Sequence, residues 1–122
     1  MAKVISWFEI PVTNFERARS FYQTILDIEI PAENVLGFMM GFFPMVNNSP
    51  TGAIVKGDGY IPSNNGTVLY LDAGEDLNIA LSKVEKAGGK VIVPKTMITE
   101  DHGYFAFIFD TEGNKIGFHS NH

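Results

Sequence analysis

Residues Val4 to Val12, Val-Ile-Ser-Trp-Phe-Glu-Ile-Pro-Val, are mostly β-branched or aromatic and predict a first strand. Alternation puts Trp7, Glu9 and Pro11 on one face and Phe8, Ile10 and Val12 on the other. Pro11 lacks an N–H, so it marks a strand end or an edge. Thr13-Asn-Phe-Glu16 has capping-box spacing, in which a hydroxyl and a carboxylate satisfy the first free helix amides. Phe15, Ala18, Phe21, Tyr22, Ile25 and Leu26 then recur at helical period, which predicts an amphipathic helix over 15–26. Ile28 to Ile30, stopped by Pro31, reads as a strand, as do Leu36 to Phe43 and Thr51 to Lys56. The turn-forming Asn47-Asn-Ser-Pro50 separates the last two.

Pro62-Ser-Asn-Asn-Gly66 is the clearest linker, and after it the plan repeats. Thr67 to Leu71 predicts a strand. Leu77, Ala80, Leu81, Val84 and Ala87 predict a helix ended by Gly88-Gly89. Lys90 to Val93, Tyr104 to Phe109 and Lys115 to His119 supply three more strands, the last two joined by a hairpin at Asp110-Thr-Glu-Gly-Asn114. Each half is roughly 60 residues, too short to bury a sufficient core alone. The expectation is one α+β domain over 1–122, with module 1 over 1–61, a linker over 62–66 and module 2 over 67–122.

Composition narrows the functions. The 122 residues carry nine basic and fourteen acidic side chains, net −5, without a run of Lys or Arg, which argues against a nucleic-acid partner. The same balance favours a cationic or neutral ligand. The absence of cysteine removes disulfides, thiolate nucleophiles and sulfur-based zinc sites. The longest apolar stretch, Leu36 to Val46, is interrupted by Gly37, Gly41 and Pro44 and falls short of the roughly 20 residues a membrane span needs. Lys3 is followed by Glu9 and Pro11 before a signal-like apolar run develops, so a cytoplasmic protein without a membrane partner is expected.

Three segments together resemble the vicinal oxygen chelate superfamily of glyoxalase I, bleomycin-resistance proteins and extradiol dioxygenases. They are Trp7-Phe-Glu-Ile-Pro-Val12 leading into Arg17-Ala-Arg-Ser-Phe-Tyr22, Val84-Glu-Lys-Ala-Gly-Gly89, and Ala106-Phe-Ile-Phe-Asp-Thr-Glu-Gly-Asn-Lys-Ile116. The resemblance covers nearly the whole chain. It implies two tandem βαβββ modules forming cupped mixed sheets with the helices outside. It also implies four metal-ligand positions. Counted from these segments, three fall on Trp7, Leu69 and Gly117, and the fourth on the strand around Ala53 to Lys56, which has neither carboxylate nor imidazole. None can donate a side chain to a hard cation. The expectation is therefore no cofactor; the alternative is a divalent metal at a non-standard site using Glu9 and His119.

The candidate acid–base residues are Glu9 and His119, which alternation puts on the cavity side of the first and last strands. A carboxylate within an otherwise apolar strand costs stability unless something satisfies it. Trp7, Leu69, Leu71, Tyr104 and Gly117 are the candidate pocket residues. Trp7 is the single tryptophan and suits either ligand stacking or core filling. Phe38, Met39, Met40, Phe42, Phe43 and Met45 form an aromatic–thioether cluster that core packing largely explains. His102 reads as a turn residue, and His122 is not a candidate. Open sheet edges and the resemblance imply a homodimer with two pockets. Two functions remain: metal-free binding of a small hydrophobic or cationic molecule, as bleomycin-resistance members do, or a lyase or isomerase of the glyoxalase type. The enzyme would use a displaced metal or metal-free catalysis by Glu9.

Overall fold

The computed structural model describes residues 4–122, so the first three residues of the expected module 1 lie outside the described residues. Module 1 contains β1 (Phe8–Pro11), α1 (Phe15–Leu26), β2 (Ala32–Val35), β3 (Phe38–Phe42) and β4 (Gly52–Lys56). Module 2 contains β5 (Leu69–Asp72), α2 (Asn78–Leu81), β6 (Lys90–Thr99), β7 (Gly103–Phe109) and β8 (Lys115–Ser120). The sheets have orders β1-β4-β3-β2 and β5-β8-β7-β6. In each, the first strand pairs parallel with the last and the other pairs are antiparallel. The internal repeat is thus a repeat of topology, α+β and tandem.

One core serves both modules. Phe15, Ala18, Phe21, Tyr22 and Ile25 of α1 join Ile10 and Ile54 of the first sheet and Leu71, Ala106, Ile108 and Phe118 of the second. Ala18 of α1 is completely buried within this core. At Gly41 an added Cβ would come within 2.8 Å of Ile30 and 2.9 Å of Ile54, so the glycine lets β3 lie close beneath α1.

Several elements differ from the sequence expectation for local physical reasons. β1 starts only at Phe8 because its partner β4 starts at Gly52; Val4 and Ile5 precede the pairing and are exposed. No strand forms over Ile28 to Ile30. The Gln23 side chain accepts from the Ile30 N–H and Arg19 donates to the Ile30 carbonyl, leaving that backbone nothing to offer a neighbouring strand. The second strand instead follows Pro31, at Ala32. The helix of module 2 is regular only over Asn78–Leu81. Beyond it, Lys83 and Val84 donate three residues back, tightening the chain into turns that end at Gly88. β6 runs on through Pro94 to Thr99, which its outer position and its register shifts against β7 permit.

The modules are clamped by the Asp110–Asn114 hairpin. Buried Asp110 accepts from the Tyr22 hydroxyl at 2.6 Å and from the Glu112 and Asn114 amides. Asn114 donates to the Pro11 carbonyl and accepts from the Ser63 N–H, tying β1 and the linker to the same turn. Glu112 reaches across to the start of α1, taking hydrogen bonds from the Thr13 N–H and hydroxyl, the Asn14 N–H and the Arg17 Nε and Nη2. The Thr13–Glu16 capping box therefore does not form. Asn14 is the cap, accepting from the Arg17 N–H, and the carboxylate comes from the other module. Burial opposes ionisation of Glu112, but the Arg17, Asn14, Thr111 and Thr13 donors prevail and hold its pKa at about 2.

Candidate functional site

Each sheet has a face turned from the helices. On β1, Ile10 points into the core and Glu9 points away, exposed, as alternation implied. Ala53 and Val55 of β4, paired with Glu9 and Pro11, are fully buried yet lie outside the helix-side core. Half-buried aromatic side chains close over this face. Trp7 packs against Phe42 with ring centroids 6.3 Å apart, and Phe38 meets Tyr60 edge-on at 5.5 Å.

Glu9 is the polar centre of this surface. Its Oε2 accepts from the Trp7 indole at 3.1 Å and its Oε1 from the Tyr60 hydroxyl at 2.6 Å. Two neutral donors, one from the residue just before β1 and one from the loop after β4, thus fix the carboxylate's orientation. The hydrogen bond to Glu9, helped by burial, raises the Tyr60 phenol above its ordinary pKa. Tyr60 is the residue that sequence reasoning missed. It follows Asp58-Gly59, where Gly59 takes φ of +86°, and periodicity does not reach into such a loop.

On the second sheet the open face carries Tyr70, Phe105 and Phe107. The Tyr70 and Phe107 centroids are 5.7 Å apart, those of Phe105 and Phe107 5.3 Å, and the Lys115 ammonium lies 4.3 Å from the Phe107 centroid. Gly117 pairs with Tyr70, and the tyrosine ring covers it so closely that an added Cβ would meet Cδ2 at 2.5 Å. Between the β1 and β5 edges runs a groove of about 180 Å³ bordered by Glu9, Pro11, Thr67, Leu69 and Lys115.

Three expected site residues need correction. Leu71 is buried in the core opposite Phe118, and Leu69, paired with Ile116, packs against that core while also lining the groove. The open-face residue between them is Tyr70, so counting to Leu69 was one position out of register. Tyr104 shares the core-facing phase of Ala106 and Ile108 and lies beneath the Lys95 ammonium at 4.6 Å, away from Glu9. His119 keeps the expected face, but its Nε2 is 2.6 Å from the His102 carbonyl. Among the described residues no hydrogen bond or ion pair joins His119 to Glu9. The structure brings together Trp7 and Glu9, and adds Tyr60.

A family-model match identifies the chain. It covers residues 4–118 and belongs to the Glyoxalase/Bleomycin resistance protein/Dioxygenase superfamily. The protein is a member of that superfamily. A glyoxylase-like domain-containing protein from Didymella fabae is 31% identical over 114 residues, covering 90% of this chain and 88% of its own. Glyoxalase I from Zea mays superposes with a TM-score of 0.70 at 16% identity, over 95% of this chain and 45% of the maize chain. This chain thus spans about half of that enzyme's length. A glyoxalase/bleomycin resistance protein from Albidiferax ferrireducens superposes at 0.66 with 21% identity, covering 95% of this chain and 97% of its own. At these identities the superpositions establish the fold alone.

The divalent metal implied by the superfamily does not fit the donors present. Trp7 offers no lone pair to a hard cation, Tyr70 on the open face of β5 lays its ring over Gly117, and Gly117 beneath it has no room for a ligating side chain. Among the described residues no group of three or more His, Asp or Glu side chains converges to hold an ion.

Proposed function

We propose that this protein binds a small hydrophobic or cationic molecule, without a metal, against the open faces between its two modules. The observation that carries this reading is the exchange of ligand chemistry for aromatic surface. Tyr70 over Gly117 and Trp7 beside Phe42 put rings at positions that the family resemblance assigns to metal ligands. Beside these rings Glu9 supplies an oriented carboxylate. A groove of about 180 Å³ is smaller than the sites of drug-sized ligands, which favours a ligand of few heavy atoms.

The test is a fragment screen by ligand-observed NMR, run with a chelator present. Saturable binding that shifts the emission of Trp7 supports the reading. Binding that appears only when a divalent ion is added contradicts it.

One observation favours a second reading, metal-free acid–base catalysis: the 2.6 Å hydrogen bond between Tyr60 and Glu9 gives the carboxylate a proton-exchanging neighbour. Hemithioacetal turnover in chelator, abolished by Glu9→Gln, would establish it. A homodimer also belongs to the proposed function. It is supported by the two outer strands, β2 and β6, and by exposed Ile92, Met97 and Ile98 on β6. Light scattering on the eluting protein checks it. Cell fractionation checks the expected cytoplasmic location.

A further inference from the structure

The ligand-binding reading leaves the ligand's charge open, and the surroundings of Glu9 bear on it. Its carboxylate is exposed to solvent beside half-buried aromatic rings. Both oxygens are oriented, each by a single neutral donor, so each keeps acceptor capacity directed outward. Holding a carboxylate in place with an indole N–H and a phenol leaves its charge unneutralised. Several cations among the described residues are held elsewhere. Arg17 is on Glu112, Arg19 on the Ile30 carbonyl and Glu16, and Lys95 on Asp76. Lys115, the cation in the groove lining, lies over the Phe107 ring. Among the described residues no ion pair reaches Glu9.

We infer that the corner formed by Trp7, Glu9 and Tyr60 is a recognition site for an organic ammonium ion, a deeper form of the ligand-binding reading on which it rests. An alkyl- or arylammonium would donate to the free lone pairs of Glu9, a charge-assisted bond stronger than one between neutral groups. Its apolar part would lie on the Trp7 and Phe42 rings, whose π-faces attract cationic methylene groups as well as hydrocarbon. The pre-oriented carboxylate loses little rotamer entropy on binding, so the interaction is not offset by ordering of the site.

The experiment compares phenethylammonium, 2-phenylethanol and 3-phenylpropionate, each titrated into the full chain while the emission of the single tryptophan is followed. The site predicts that the ammonium binds at least about tenfold more tightly than the alcohol, equivalent to about 1.4 kcal/mol. The carboxylate should bind weakest. Glu9→Gln, which keeps an acceptor for the indole and hence the position of Trp7, should reduce the preference to about unity. A circular dichroism spectrum and urea midpoint matching the parent's guard against a Glu9→Gln chain that misfolds. Equal affinity for ammonium and alcohol overturns the ammonium assignment while leaving a ligand pocket in place. Failure of every probe to bind overturns the ligand-binding reading and this inference together. A preference that survives Glu9→Gln also overturns it, since the charge would then be read elsewhere.

Discussion

Replacing Glu112 with Gln isolates the electrostatic part of the inter-module clamp. The Glu112 side chain is fully buried and receives donors from Thr13, Asn14, Arg17 and Thr111. A carboxyl moved from 4.5 to about 2 on folding corresponds to about 3 kcal/mol of stability at neutral pH. Its charged partner Arg17 is half exposed, at 51%, and solvent screening there reduces the figure to about 2 kcal/mol. Because folding lowers this pKa, the stabilisation is complete above the ordinary value of 4.5 and is lost as the pH falls through about 2. Urea unfolding should therefore show Glu112→Gln about 2 kcal/mol less stable at pH 7, a midpoint shift of about 1 M. By pH 3 more than half of that difference should have gone. A variant within about 0.5 kcal/mol of the parent at pH 7 would refute the clamp, that being the usual range of an inconsequential surface change. So would a deficit of equal size at both pH values.

Two further substitutions test the packing behind the account. Tyr22→Phe removes the 2.6 Å bond to Asp110 in a fully buried setting and should cost about 1–3 kcal/mol in urea unfolding, with the fold retained by circular dichroism. Gly117→Glu should destabilise by about 1–3 kcal/mol because its Cβ meets the Tyr70 ring, and Tyr70→Ala in the same chain should recover part of that loss.

The topology was legible because both modules show strong periodicity: the α1 stripe and the β7–β8 hairpin are where the residue pattern puts them. The face of β1 was legible too, since Glu9 among apolar residues breaks the symmetry of the strand. On β5 that contrast is missing. Val68, Leu69, Tyr70 and Leu71 are all apolar or aromatic because both faces of the sheet are lined by such residues, so alternation carries no sign and counting chose the wrong phase. The helix cap failed for another reason. Capping rules read neighbours in sequence, whereas the carboxylate over the start of α1 arrives from Glu112, 98 residues from Asn14. Tyr60 shares this blindness: its contact with Glu9 is 51 residues away in the chain and depends on a loop's path.

The central claim is that the superfamily's metal site has been replaced by an aromatic surface around one oriented carboxylate. Its most direct test is elemental analysis of protein purified without a metal-affinity tag, equilibrated with zinc, nickel, manganese and iron(II) in turn and then dialysed. The account predicts no ion retained in stoichiometric amount. One tightly held ion per chain, released by Glu9→Gln, would contradict it.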